Sequence, residues 1–215
     1  MNSFKMYYSV CLKHPFTMVV SGPTGSGKTM WVKRLIEQRD TVSFPPPLKI
    51  SYFYGEYQSA FDEIKNVEFV NGLDGIENYG SGEPSWIIID DLMLESSNSS
   101  LISNLFTRAS HHRNLSVILL TQNFFCKGKE SRNISLNAQY VVLFKNPRDK
   151  SLATNIARQM YPNQIKKFQN AFDLATAEPF SYLFIDLKPN TPDEIRLMSH
   201  VLGENGAKIT VFKII

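Results

Sequence analysis

Residues 16–36 read FTMVVSGPTGSGKTMWVKRLI, and this stretch decides the fold. Five residues suited to a buried strand precede a glycine-rich turn, and a helical pattern follows it. The turn matches G-x-x-x-x-G-K-[ST], in which glycines let backbone N–H groups point at phosphate oxygens and the next helix adds its positive N-terminal end. The predicted phosphate-binding residues are Gly22, Pro23, Thr24, Gly25, Ser26, Gly27, Lys28, Thr29 and Met30.

Two side chains of this turn are expected to act on a nucleoside triphosphate. Lys28 is placed to span the terminal two phosphates, as a catalytic residue, and the Thr29 hydroxyl is placed to bind Mg²⁺. A glycine and serine turn that matches by chance is the alternative, and the strand–turn–helix context argues against it. The motif therefore predicts a site for ATP and Mg²⁺.

A second stretch supplies the carboxylates that such a site needs. Residues 86–91, WIIIDD, form an apolar run typical of a strand buried on both faces of a parallel sheet, and the run ends in two acids. Asp90 is the predicted Mg²⁺ ligand, acting through water, and Asp91 is predicted to orient or deprotonate the attacking water. An acidic surface turn is the alternative interpretation.

A third stretch, residues 115–123, turns abruptly from LSVILL to the polar TQN. Since α/β folds bind ligands at the carboxyl ends of their strands, this polar end is expected at the same sheet edge as the nucleotide. Gln122 is therefore predicted to hydrogen-bond the attacking water or the γ-phosphate. The alternative is that these polar residues simply begin a loop.

The rest of the chain alternates strand-like and helix-like segments, which indicates an α/β fold with a mainly parallel central sheet flanked by helices. Strands are expected at residues 16–20, 50–54, 67–70, 86–89, 115–120, 140–144 and 182–186. Helices are expected at residues 29–39 and 95–109. Residues 189–194 carry a helix-start signature with Thr191 as the cap.

Length and composition fit one soluble domain. The chain has 215 residues, 43% hydrophobic and 20% charged, which excludes disordered and collagen-like classes. We expect a single ATPase domain over residues 1–215, with a core at about residues 14–188 and a C-terminal extension at residues 189–215. No apolar run suits a membrane span and no signal peptide is evident, so an intracellular, soluble protein without a membrane partner is expected. The net charge of +3 permits a polyanion partner without arguing for one.

Several stretches together resemble one family. They are GPTGSGKT (22–29), YFYGEYQ (52–58), IIIDDLM (87–93), SHHRNLSVILLTQNFF (110–125), RNISLNAQYVVLFKNPRD (132–149), ARQMYP (157–162) and SYLFIDL (181–187). This combination resembles the DNA-packaging ATPases of the poxvirus and Polinton/Maverick type, within the FtsK/HerA superfamily. The resemblance covers roughly residues 14–188 and implies a P-loop NTPase fold of the RecA and FtsK/HerA kind.

The resemblance implies an ATP-driven pentameric or hexameric homo-oligomeric ring around double-stranded DNA. Such a ring pushes a viral genome into a preformed capsid, with capsid or packaging-vertex proteins as partners. Each ATP site lies at a subunit boundary, where an arginine of the neighbour stabilises the transferring phosphate. Arg113 is the first choice for this catalytic arginine, Arg148 and Arg132 are alternatives, and a solvated surface arginine is the other interpretation of each. Many relatives carry Glu at the position of Asp91, and slow basal hydrolysis is consistent with the shorter side chain.

Contacts with DNA are expected from basic residues near the predicted nucleotide edge. The loop carrying Lys127, Lys129 and Arg132 is one candidate, and the run HHR at residues 111–113 is another, while a solvated loop is the alternative for both. The aromatic run at residues 52–57 could stack on bases, but at strand spacing it is predicted to belong to the core.

Three other functions fit a phosphate-binding turn. A small-molecule or nucleoside kinase suits the size of the chain, but the paired Arg/Lys spacing of an acceptor lid is absent. A nucleotide-gated assembly protein would bind ATP as a switch without moving DNA. A replicative helicase would separate strands of forked DNA.

Overall fold

The computed structural model describes residues 10–80, 82–92, 96–109, 113–125 and 129–214. The strands are β1 (Leu12–Lys13), β2 (Thr17–Ser21), β3 (Ser43–Phe44), β4 (Lys49–Tyr54), β5 (Glu68–Asn71), β6 (Ser85–Asp90), β7 (Leu115–Thr121), β8 (Tyr140–Phe144), β9 (Tyr182–Asp186), β10 (Leu197–Ser199) and β11 (Thr210–Phe212). The helices are α1 (Lys28–Glu37), α2 (Arg39–Val42), α3 (Ser96–Asn104), α4 (Lys129–Asn137), α5 (Ser151–Met160) and α6 (Ile165–Ala175). A π-helical turn, Leu105–Ala109, continues α3.

One nine-stranded sheet organises the chain, with the strand order β11-β10-β9-β8-β2-β7-β6-β4-β5. The six strands from β8 to β5 in this order are parallel to one another. Strands β9, β10 and β11 extend the sheet in antiparallel pairs, and β1 pairs with β3 in a separate two-stranded sheet. The expected mainly parallel α/β sheet flanked by helices is confirmed.

The sheet is buried on both faces, as its apolar strands require. Strands β6 and β7 are buried along their whole lengths. One face packs against α1 through residues such as Trp31 and Leu35. The other face packs against α3 to α6 through residues such as Ile102, Ile134 and Phe168. No helix in the described part of the chain combines the length and the apolar character needed to cross a bilayer.

Strand register brings several carboxyl ends to one edge of the sheet. Ser21 at the end of β2 is level with Thr121 of β7 and with Leu143 of β8. Asp90 at the end of β6 is level with Leu120 of β7 and with Tyr54 of β4. The turns that follow these strands therefore meet along this edge, which we call the carboxyl edge.

Two expectations about local structure are wrong. The helix-start signature at residues 189–194 leads only to a 3₁₀ turn, Asp193–Ile195, with Pro192 rather than Thr191 at the cap position and no side-chain cap. Because β10 begins at Leu197, no room remains for a longer helix, and the C-terminal segment instead adds β10 and β11 to the sheet. The expected basic loop is largely helical, since Lys129 and Arg132 lie on α4, and Lys127 lies outside the described residues.

Candidate functional site

A cleft of about 1010 Å³ opens along the carboxyl edge. Its walls include Lys28, Thr29, Asp90, Asp91 and Gln122, which come from three separate turns of the chain. The predicted residues of the phosphate, metal and water sites therefore lie together.

The glycine-rich turn after β2 has the tight geometry that its sequence implies. A Cβ atom on Gly22 would sit 2.6 Å from both Phe144 Cβ and Ser26 Oγ, so only glycine fits there. Gly27 has a φ of 102° and immediately precedes α1, which begins at Lys28. This left-handed conformation favours glycine. The turn thus delivers the N-terminus of a ten-residue helix to the cleft, as an anion site requires.

Lys28 is held close to the turn that carries it. Its Nζ donates hydrogen bonds to the carbonyl oxygens of Gly22 at 2.6 Å and Pro23 at 3.1 Å. Burial lowers the pKa of Lys28, and the nearby charges of Asp90 and Asp91 act in the opposite direction. The ammonium group is thereby positioned beside the place where phosphate oxygens would approach the helix N-terminus.

Asp90 is a buried carboxylate, with 5% of its surface exposed. Burial raises its pKa, and a hydrogen bond from Tyr52 and the charge of Lys28 oppose that rise. Tyr52 Oη donates to Asp90 Oδ2 at 2.7 Å, and Gln58 Nε2 donates to the same oxygen at 3.4 Å. A buried carboxylate favours a cation as its partner.

The donor set at this position fits Mg²⁺. Thr29 and Asp90 offer hydroxyl and carboxylate oxygens, the hard ligands that Mg²⁺ prefers. Within the described ranges, no group of three or more His, Cys, Asp or Glu residues could hold a metal ion by itself. A Mg²⁺ ion bound by Thr29 and Asp90 would complete its coordination with phosphate oxygens and water.

Asp91 and Gln122 form a pair at the mouth of the cleft. Gln122 Nε2 donates a hydrogen bond to Asp91 Oδ2 at 2.8 Å. The backbone of β7 also contacts both neighbouring turns, because Thr121 O accepts from Gly22 N at 3.1 Å and Leu120 O accepts from Asp91 N at 3.4 Å. Strand β7 therefore joins the phosphate turn to the acidic turn, with Gln122 at its tip.

The opposite end of the cleft is aromatic. Strands β8 and β9 lie on the other side of β2 from β7 and β6, and Tyr182 at the start of β9 lines the cleft there with Phe180 and Glu204. Phe180 is 70% exposed, and its ring lies against Gly27. Asp90 and Asp91 at one end suit a cation beside the terminal phosphates, and the exposed Phe180 ring at the other end offers a stacking face for the base of a nucleotide.

Several residues of the cleft have no role that the sequence predicts. Gln58 and Tyr182 lie within stretches that carry the family resemblance, but no role is predicted for either of them. Phe180 and Glu204 lie outside those stretches, and only the fold brings them to the cleft. Tyr52 was expected in the core, where it lies fully buried with Phe53, but its hydroxyl also reaches Asp90.

The candidate arginines lie in three different places. Arg113 precedes β7 at the amino edge of the sheet, opposite the cleft, and its Nη1 donates to the backbone oxygen of Glu77. Arg148 is exposed in the turn after β8, and Arg132 is exposed on α4. None of the three lines the cleft. His111 and His112 lie outside the described residues.

Comparisons with known proteins identify the fold. No protein-family model and no curated protein sequence matches this chain. The genome packaging NTPase B204 from Sulfolobus turreted icosahedral virus 2, solved in complex with ATP-gammaS, is similar with a TM-score of 0.52 and 17% sequence identity. This similarity covers 93% of the present chain and 97% of B204.

A second similar structure is the cytoplasmic domain of the Type VII secretion ATPase EccC from Thermomonospora curvata. Its TM-score is 0.52 at 13% identity, and the similarity covers 82% of this chain and 24% of the EccC chain. The chain therefore shares the fold of these ATPases, and the expected P-loop NTPase fold is confirmed.

Proposed function

We propose that this protein is an ATP-hydrolysing motor that moves double-stranded viral DNA into a preformed capsid. The observation that carries ATP hydrolysis in this proposal is the 2.8 Å hydrogen bond between Gln122 and Asp91 beside the phosphate turn. A phosphate turn alone suits any nucleotide-binding protein. Gln122 at the tip of β7 pairs its amide with the Asp91 carboxylate. Such a pair suits an enzyme that positions the attacking water and transmits the hydrolysis of ATP to the rest of the chain.

Each side chain of the cleft has a role in this chemistry. Lys28 offsets charge on the terminal phosphates, and backbone N–H groups of the turn bind their oxygens. Thr29 and Asp90 would hold Mg²⁺, which neutralises charge on the phosphate oxygens when bound. Asp91 accepts the proton of the attacking water, and Gln122 fixes the orientation of Asp91 or of that water.

The connection from the cleft to DNA runs through β7. Since Gly22 and Asp91 both bond to the backbone of β7, a shift of either turn acts on this strand. The chain continues from Gln122 to α4, where Lys129 and Arg132 are exposed. We assign DNA-backbone contacts to Lys129 and Arg132, together with Lys127. A motor that moves along any sequence needs phosphate contacts rather than base contacts, so binding should weaken steeply as salt rises.

The similarity to B204 supports the proposal that ATP hydrolysis drives the packaging of DNA. B204 is described as a genome packaging NTPase, and the two chains match along nearly their whole lengths. A packaging motor also needs a ring and a docking partner, so we propose a pentamer or hexamer that binds proteins of the capsid's packaging vertex.

Ring assembly gives Arg113 its role. We propose that Arg113 completes the ATP site of a neighbouring subunit, which agrees with its absence from the cleft of its own subunit. Mixing Arg113→Ala subunits with Lys28→Ala subunits should restore part of the hydrolysis lost in each, because some interfaces then combine an intact Lys28 with an intact Arg113. No recovery at any mixing ratio would rule out this arginine, and the exposed Arg148 would be tested next in the same way.

The motor is tested by measuring ATP hydrolysis with and without duplex DNA. We expect duplex DNA to accelerate hydrolysis, and added salt to remove the acceleration. A kinase would ignore the DNA and would instead require a phosphate acceptor. An assembly switch would support genome filling even as a Lys28→Ala variant, and a helicase would separate forked DNA.

A further inference from the structure

Gln58 lies in the loop after β4, and its amide joins the two predicted Mg²⁺ ligands. Thr29 Oγ1 donates to Gln58 Oε1 at 3.2 Å. Gln58 Nε2 donates to Asp90 Oδ2 at 3.4 Å. One exposed side chain thus contacts a residue of the phosphate turn and a residue of the acidic strand, 29 and 32 positions away in sequence.

These hydrogen bonds leave free the lone pairs that a metal ion would use. The Thr29 hydroxyl has one hydrogen and two lone pairs, and giving the hydrogen to Gln58 leaves the lone pairs for a cation. Asp90 Oδ2 accepts from both Tyr52 and Gln58, while Oδ1 has no hydrogen bond within the described residues. The hydrogen bonds to the amide therefore leave the Thr29 lone pairs and Asp90 Oδ1 available to a cation.

The side chain of Gln58 is not needed to hold its own loop. The backbone oxygen of Gln58 accepts from Phe61 N at 2.9 Å, and Phe61 is buried in the core. Tyr57 and Asp62 are also bonded to each other across this loop. Removing the amide should therefore leave the loop in place and change only its contacts with Thr29 and Asp90.

We propose that Gln58 is a positioning residue of the metal site, which orients Thr29 and Asp90 for a Mg²⁺-bound nucleotide. This inference rests on the proposed nucleotide site. Partners that orient metal ligands in this way commonly change metal affinity by about 10-fold to 100-fold when they are removed.

The test is the gain in nucleotide affinity that Mg²⁺ provides. Binding of ATP-gammaS to the full chain is measured by calorimetry with Mg²⁺ and with EDTA, and the ratio of the two Kd values is the gain. Gln58→Met keeps the length of the side chain and removes its hydrogen bonds. We expect the gain to fall by about 10-fold or more while the Kd in EDTA stays within about two-fold of the wild-type value.

A matched control is Gln159→Met, because Gln159 is exposed on α5 and lies outside the cleft. This variant should keep both Kd values. A double variant provides a second test. In a Thr29→Ala background, Gln58→Met should cause a smaller further loss of the Mg²⁺ gain, because Thr29, one of the two partners of the Gln58 amide, is already gone.

Two results would overturn the role of Gln58. One is an unchanged Mg²⁺ gain, which includes an equal loss of affinity with and without Mg²⁺, and the other is losses that simply add in the double variant. A wild-type protein that binds no nucleotide in either buffer would instead remove the proposed function itself.

Discussion

Replacing Asp91 by Asn isolates the chemical step from binding and folding. Asp91 has a φ of 55° and is exposed at the end of β6. Asn tolerates this left-handed conformation, and its amide oxygen can still accept the hydrogen bond from Gln122. The substitution removes only the negative charge and the ability to accept a proton.

The expected loss can be bounded. A positioned general base typically contributes about 10²-fold to 10⁴-fold to a rate. This corresponds to about 3–5 kcal/mol of the activation barrier. Asp91→Asn should therefore lower kcat by roughly that factor, with ATP-gammaS affinity unchanged within about two-fold. Asp91→Ala should lose as much activity and also melt about 2–4 °C lower, because Ala in this conformation costs about 1 kcal/mol.

The assay combines steady-state phosphate release, ATP-gammaS binding and thermal melting for the wild type and both variants. Wild-type kcat in Asp91→Asn would refute Asp91 as the proton acceptor. Loss of nucleotide binding in Asp91→Asn would also refute the reasoning, since it would place this carboxylate in binding rather than in the chemical step.

Three further predictions follow from individual contacts. Gly22→Ala places a Cβ within 2.6 Å of two side-chain atoms and should abolish nucleotide binding, whereas Gly72→Ala, at a φ of 78° with open space, should keep it in the same assay. Burial lowers the pKa of His14 from its ordinary value of 6.5, so the folded protein disfavours the charged ring. The stability that neutral His14 contributes is therefore lost as pH falls through and below 6.5. The melting temperatures of the wild type and His14→Gln should therefore converge between about pH 7.5 and about pH 5, and a constant difference would contradict this. Phe180→Ala should weaken ATP binding about five-fold or more by removing a stacking surface of at least about 1 kcal/mol, while Leu174→Ala, equally exposed on α6, should leave the Kd unchanged.

The sequence predicts the parts of the site that follow directly from contiguous patterns. The phosphate turn lies between a strand and a helix, and the acids end an apolar strand, so both can be placed without coordinates. The meeting of Gln122 with Asp91 also follows, because parallel strands carry their ends to one edge. The same rule accounts for Arg113, which precedes its strand and therefore lies at the amino edge.

The remaining parts depend on contacts between distant segments. Gln58 matters only because its loop crosses the space between Thr29 and Asp90. Phe180 reaches the cleft because β9 runs antiparallel to β8, an arrangement that a strand pattern does not specify. Residues 127–132 are charged and polar and predict a loop, whereas residues from Lys129 onward form α4, which Ile134 anchors in the core.

The central claim is that ATP hydrolysis in this cleft drives movement along duplex DNA. Displacement of a triplex-forming oligonucleotide from a duplex measures such movement directly. The account predicts that the wild-type protein releases the oligonucleotide with ATP, but not with ATP-gammaS, and that Asp91→Asn fails with either. Hydrolysis of ATP in the presence of the duplex while the oligonucleotide stays bound would contradict it.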